Sequence, residues 1–244
     1  AIAFSFDLFD RLMARPAPGT PDTSLGQAIS ARLAAYTWPP DMGALASDLA
    51  AVRSLVKAAS FTPEDVTAIL AALAPFDAER NIRFRSSTNV EDTATFTGAG
   101  LYDSYSGCVH DDIDSDAAGP SACDASEADE RGVLRAMRKV YASFWNDNAF
   151  LARLARRVPE ASAAMGLLVH HSFPDDIELA NGVAVVVDRG ISRDHTYTTQ
   201  LGAVSVTNPE GSAQPEVVQV AVYDFGTFFS LVQGSSLVPL GGYV

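Results

Sequence analysis

The chain is short of positive charge. Its 17 lysines and arginines stand against 30 aspartates and glutamates in 244 residues, for a formal net charge of −13 and a pI of about 4.5. A surface of that sign repels phosphate backbones, which argues against general nucleic-acid binding. Long apolar runs are missing too. The longest, such as Gly182 to Val187, are strand-sized, far below the length of a membrane-spanning helix. No basic-then-apolar leader opens the chain. Ala1 is followed at once by Ile2-Ala3-Phe4, and Gly241-Gly242-Tyr243-Val244 ends without a polar tail, so a piece of a longer protein is expected. Gly-x-x-x-x-Gly-Lys-Ser, a nucleophile elbow, His-Glu-x-x-His and paired Cys-x-x-Cys are all absent, which sets aside those familiar phosphate, acyl and zinc solutions.

Cysteine is nearly absent. The only two, Cys108 and Cys123, lie 15 positions apart, the first just before and the second within an acidic, small-residue stretch, VHDDIDSDAAGPSACDASEADE, that reads as a loop. They are either a disulfide or two unrelated thiols. A disulfide would contribute roughly 3 kcal/mol in the chain-entropy model and would point to an exported or periplasmic setting. Within the loop Asp112, Asp114 and Asp116 alternate, a pattern that suits calcium. The EF-hand pattern is incomplete, and a solvated acidic loop is the other reading.

What is present builds a core. Hydrophobic content of 48% with 19% charge is that of a folded domain, not a disordered chain. Residues 1–80 read as helical. Phe6, Phe9, Leu12 and Met13 recur at helical spacing before Pro16, Pro18, Gly19 and Pro21 interrupt. A second helix is expected from Ser24 to Ala35, and a third capped by Asp41 with the stripe Leu45, Leu49, Val52 and Val56. A fourth begins at Thr62-Pro63-Glu64-Asp65, a hydroxyl cap with proline at the first helical position. Ser126 to Arg157 reads as the longest helix, opened by Ser126 with Asp129 and loaded with Arg153, Arg156 and Arg157 at its end. From Ala163 the period switches. Met165 to Val169, Gly182 to Val187, Thr196 to Gln200, Ala203 to Val206 and Val217 to Val222 read as strands, antiparallel given their short connections, and Asn208 to Gly211 as a turn. The expected class is α+β, a helical N-terminal part followed by a mainly antiparallel sheet.

The most informative stretch runs from Asn81 to Gly107, NIRFRSSTNVEDTATFTGAGLYDSYSG. Ile82, Phe84 and Ser86 alternate with Arg83 and Arg85, so it opens as a strand and then becomes a glycine-bearing polar loop. Such a strand can deliver Arg85, a planar and permanently charged fork, as a phosphate grip. The alternative is a structural ion pair with Glu91 or Asp92. His170 and His171 are adjacent, so on a strand they face opposite ways, and their own residues suggest structural roles.

Arg85-Ser86-Ser87, then Glu91-Asp92, then Phe96-Thr97-Gly98-Ala99-Gly100 resembles the signature of the PEP/pyruvate-binding, ATP-binding domain shared by phosphoenolpyruvate synthases and pyruvate phosphate dikinases. Val140 to Asn146, Met165 to His170, Asn181 to Val185, and the segments Gln200 to Gly202, Val206 to Pro209 and Pro215 to Val217 are similar to later pieces of that family, in the same order. The resemblance runs from about Asn81 to Val220. It implies an ATP-grasp-like fold over residues 81–244, with residues 108–130 as an inserted acidic loop. It implies ATP and Mg2+ as cofactors, Arg85 on the phosphates, the backbone near His170, His171 and Phe173 along the adenine, and Glu216 on magnesium. Its partners would be a phosphohistidine domain and a PEP/pyruvate domain outside this chain, and its compartment the cytoplasm if it is an active synthase. Two departures favour a rival, a non-catalytic and exported module that keeps the scaffold for structural or partner-binding use. The family's early lysine would lie before Ala1, since Lys57 is the first here and sits on a helical stretch, and the cysteine-flanked loop is an insertion.

Overall fold

The computed structural model describes residues 1–90, 101–114, 118–172, 178–202 and 213–237. Contacts divide the chain into two compact units, residues 1–172 and 173–244. The boundary drawn between residues 80 and 81 lies inside the first.

The first unit is a four-stranded antiparallel sheet packed on helices. Its strands are β1 (Ile2–Phe4), β4 (Ile82–Thr88), β5 (Ser104–Gly107) and β6 (Met165–His171), in the order β1-β6-β4-β5. The helices are α1 (Phe6–Met13), α2 (Leu25–Leu33), α3 (Met42–Ala58), α4 (Pro63–Leu73), α5 (Val133–Ala142) and α6 (Asp147–Ala155). Their starts are written in the sequence. Ser24 caps α2 in a reciprocal box with Gln27. Asp41 accepts from the Ala44 N–H, and Thr62 from the Asp65 N–H, each at 3.0 Å. Leu45, Leu49, Val52 and Val56 of α3 are fully buried, and they share one core with Ile82 and Phe84 of β4, with Met165, Leu167 and Val169 of β6, and with Met137 and Tyr141 of α5.

Two sequence expectations for this unit need correction. Residues 1–80 are not wholly helical. Ile2-Ala3-Phe4 pairs with Leu167 to Val169, and the Pro/Gly break is a small hairpin, β2 (Pro16–Ala17) and β3 (Thr20–Ser24), whose Gly19 turns at φ +82°. Ser126 to Arg157 is not one helix either. Asp111, buried, accepts from the Ala122 N–H at 2.8 Å and the Arg131 N–H at 2.7 Å, which holds the stretch before residue 132 as a loop. The helix starts only at Val133, where Asp112 accepts from the Leu134 N–H at 3.1 Å. It breaks again at a 3-10 turn, Ser143–Trp145. Ser143 Oγ donates to the Val140 carbonyl at 2.7 Å, Asn146 reaches the Leu101 carbonyl, and Arg53 holds both the Trp145 carbonyl and Asp147. Those partners satisfy backbone groups that a continuous helix would use itself.

The second unit is a four-stranded antiparallel sheet in the order β10-β9-β8-β7, formed by β7 (Ala180–Asp188), β8 (Arg193–Leu201), β9 (Glu216–Tyr223) and β10 (Gly226–Gln233). The strand expected at Ala203 to Val206 and the turn at Asn208 to Gly211 lie outside the described residues. β10 was not expected. Its Phe228-Phe229 and Leu231-Val232 pairs break the alternation that marks a half-buried strand, and only its β-favouring composition signals it.

Candidate functional site

In an antiparallel pair, directly opposed residues share a face. The register sets Arg83 against His170 and Ser106, Arg85 against Leu168 and Ser104, and Ser87 against Gly166. One face of the first sheet is therefore apolar and covered by helices. The other carries two arginines, serines and a histidine. Arg85 is exposed on this second face.

Arg85 Nε donates to His170 Nε2 at 2.9 Å. His170 sits one register step along, within diagonal reach of a long side chain. Its other ring nitrogen, Nδ1, lies 2.7 Å from the His171 carbonyl, which can only accept. The proton therefore sits on Nδ1, and Nε2 presents a lone pair to the guanidinium. Beside this pair, Arg83 Nη1 donates to Ser106 Oγ at 3.3 Å, Ser106 and Ser172 hydroxyls meet at 2.8 Å, and Arg80 reaches the Ser172 carbonyl. Arg83, Ser104, Ser106 and Ser172 were not singled out in the sequence. The period of two that places Arg85 on a face places Arg83 on the same one, and that was the available signal.

His171 points the other way, against the Phe76 ring at 4.9 Å, with a buried Nδ1 that has no hydrogen-bond partner among the described residues. Its side chain is half-buried against Phe76, which packs on the core. Phe173 lies outside the described residues, as do Glu91 and Asp92 and the segment from Phe96 to Gly100. Glu216 belongs to the second unit. It opens β9 opposite Thr199, whose hydroxyl approaches its carboxylate at 3.4 Å.

The described residues of the acidic loop are tied together by hydrogen bonds and a covalent link. Cys108 and Cys123 are joined by a disulfide. The calcium reading finds no support here. Asp112 is spent on the start of α5, and burial pushes its carboxyl above the usual range even though the α5 amides pull it down. Asp114 is exposed, Asp116 lies outside the described residues, and among the described residues no three His, Cys, Asp or Glu side chains gather as metal ligands.

A family model for the pyruvate phosphate dikinase AMP/ATP-binding domain matches residues 20–236. The chain belongs to that family. The match starts well before Asn81 and takes in helices α2, α3 and α4. No curated protein matches the chain. Among the described residues no helix is long and apolar enough to cross a membrane.

Proposed function

We propose that this chain is the ATP-grasp-like nucleotide-binding part of a PEP-synthase- or dikinase-type phosphotransferase, with Arg85 holding the phosphates of Mg–ATP. The observation that carries the reading is the position of Arg85: exposed on the polar face of β4, beside Arg83 and a row of serines, in a chain of the AMP/ATP-binding family. Guanidinium forks, hydroxyls and an open sheet face suit a polyphosphate. In this reading the nucleotide-binding region spans residues 81–244, after the helical part of residues 1–80. One or two carboxylates plus substrate phosphates are the usual magnesium ligands. The bound ion would neutralise charge on the transferring phosphoryl group. Phosphoryl transfer asks little more of a protein than positioning and charge neutralisation, and the acceptor histidine belongs to a domain outside these 244 residues.

Titration calorimetry with Mg–ATP tests this. Wild type is expected to give saturable heat. Arg85→Ala is expected to bind on the order of tenfold more weakly or worse, the loss typical of a charge-assisted hydrogen bond, with an unchanged circular dichroism spectrum. Matching titrations, or no heat from an intact fold, count against the reading.

One observation favours a second reading. The Cys108–Cys123 disulfide is a feature of proteins in oxidising compartments, where ATP is scarce. An exported, non-catalytic scaffold would keep the fold and show no nucleotide heat whether oxidised or reduced.

A further inference from the structure

We propose that His170 is a positioning residue that aims Arg85 at the phosphates of the bound nucleotide. The inference rests on the reading of Arg85 given above and goes beyond it. An arginine on an exposed sheet face has several rotamers of similar energy, and holding one of them costs side-chain entropy at the moment of binding. Here the guanidinium is anchored through one donor. Nε is bound to His170 Nε2, while the Nη groups at the far end of the fork carry the remaining donors. The anchor is itself fixed, because the His171 carbonyl holds the Nδ1 proton and so selects the ring's tautomer and orientation. The chain of contacts runs from β6 backbone to imidazole to guanidinium, and it ends on the polar face shared by Ser104 and Ser106. An imidazole lone pair, unlike a carboxylate, anchors the guanidinium without neutralising it.

The test uses the whole chain and two ligands, Mg–ATP and adenosine. His170→Leu removes the acceptor at similar size, and His170→Gln keeps an acceptor oxygen near the place of Nε2. His170→Leu is expected to lose ATP affinity on the order of tenfold and to leave adenosine affinity unchanged. His170→Gln is expected to recover most of the ATP affinity. A second readout needs no variant: 15N NMR of the wild-type imidazole should show protonation at Nδ1 and a bare Nε2. If His170→Leu binds ATP as wild type does while Arg85→Ala does not, the positioning role is wrong and the phosphate role of Arg85 stands. If Arg85→Ala is also unaffected, both fall. Equal losses for ATP and adenosine, failure of His170→Gln to rescue, or a proton found on Nε2 would each overturn the inference.

Discussion

Arg153 shows how far a single side chain can depart from its apparent role. It lies in the last turn of α6, where a cation usually complements the helix dipole in solvent. Instead it is 0% exposed. Its Nε and Nη2 form a two-pronged pair with Glu160 at 2.7 and 3.1 Å, Nη1 donates to the Phe144 carbonyl at 2.8 Å, and the guanidinium lies 3.9 Å from the Phe144 ring centroid. The fork ties α6, the 3-10 turn before it and the segment after it into one body. Arg153→Ala leaves the Phe144 carbonyl without its donor and opens a cavity, so a loss of about 3 kcal/mol is expected, within the range for breaking a buried pair. Glu160→Ala strips the buried guanidinium of its carboxylate but keeps its packing and its bond to the Phe144 carbonyl, so a smaller loss is expected. Urea unfolding of the two variants checks the order. The clue was in the sequence: Arg153 follows the buried Ala149 and Phe150 by four and three positions, which puts it on the apolar stripe of α6.

At the scale of elements, the contact that matters most for the candidate site is the one between β5 and α5. β5 brings Ser104 and Ser106 beside Arg85 and Arg83, and its last residue abuts the start of the helix. A Cβ on Gly107 would lie 2.7 Å from Val133 Cα, 2.9 Å from the Gly132 carbonyl and 3.0 Å from Ala136 Cβ. Two of those three atoms are backbone, so the helix itself would have to move. Gly107→Ala is expected to destabilise by roughly 1–3 kcal/mol, as overpacking does, and thermal or urea unfolding measures it. An unchanged midpoint would mean that β5 and α5 are not held together as described. This junction also shows where sequence reasoning stops. Caps at Ser24, Asp41 and Thr62 were legible because each acts within four residues of itself. The start of α5 was not, because its cap is Asp112, 22 positions upstream of Leu134, and Asp111 reaches 20 positions to Arg131. Ser126 and Asp129 looked like a local cap, but long-range hydrogen bonds and the disulfide outweigh that weak local preference. Arg85 on its strand face was legible from alternation alone, but its histidine partner lies on a strand 85 residues away.

For the whole molecule, the change from helical to strand periods near residue 163 was visible in the sequence, yet the compact units part only after Ser172. The reason is that β6 belongs by composition to the strand-rich half and by pairing to the first sheet, between β1 and β4. Partner choice is non-local and leaves no periodic trace. The two units also differ in how much they bury. The core of the first draws on α1 through α6 and the central strands. In the second, Val185, Val186, Phe229, Leu231 and Val232 remain half-exposed or more, and Val220 is the one buried hydrophobic residue among its described positions. A four-stranded sheet with so little covered apolar surface has little to offset the entropy of ordering its strands. Opening of the second unit is therefore expected below the free energy of global unfolding. Hydrogen exchange should show the amides of β4 and β6 protected to the global limit and those of β7 to β10 exchanging at least tenfold faster, with the difference shrinking as urea is added. Equal protection in both sheets, with one coincident unfolding transition by every probe, would show instead that the chain folds as a single cooperative body.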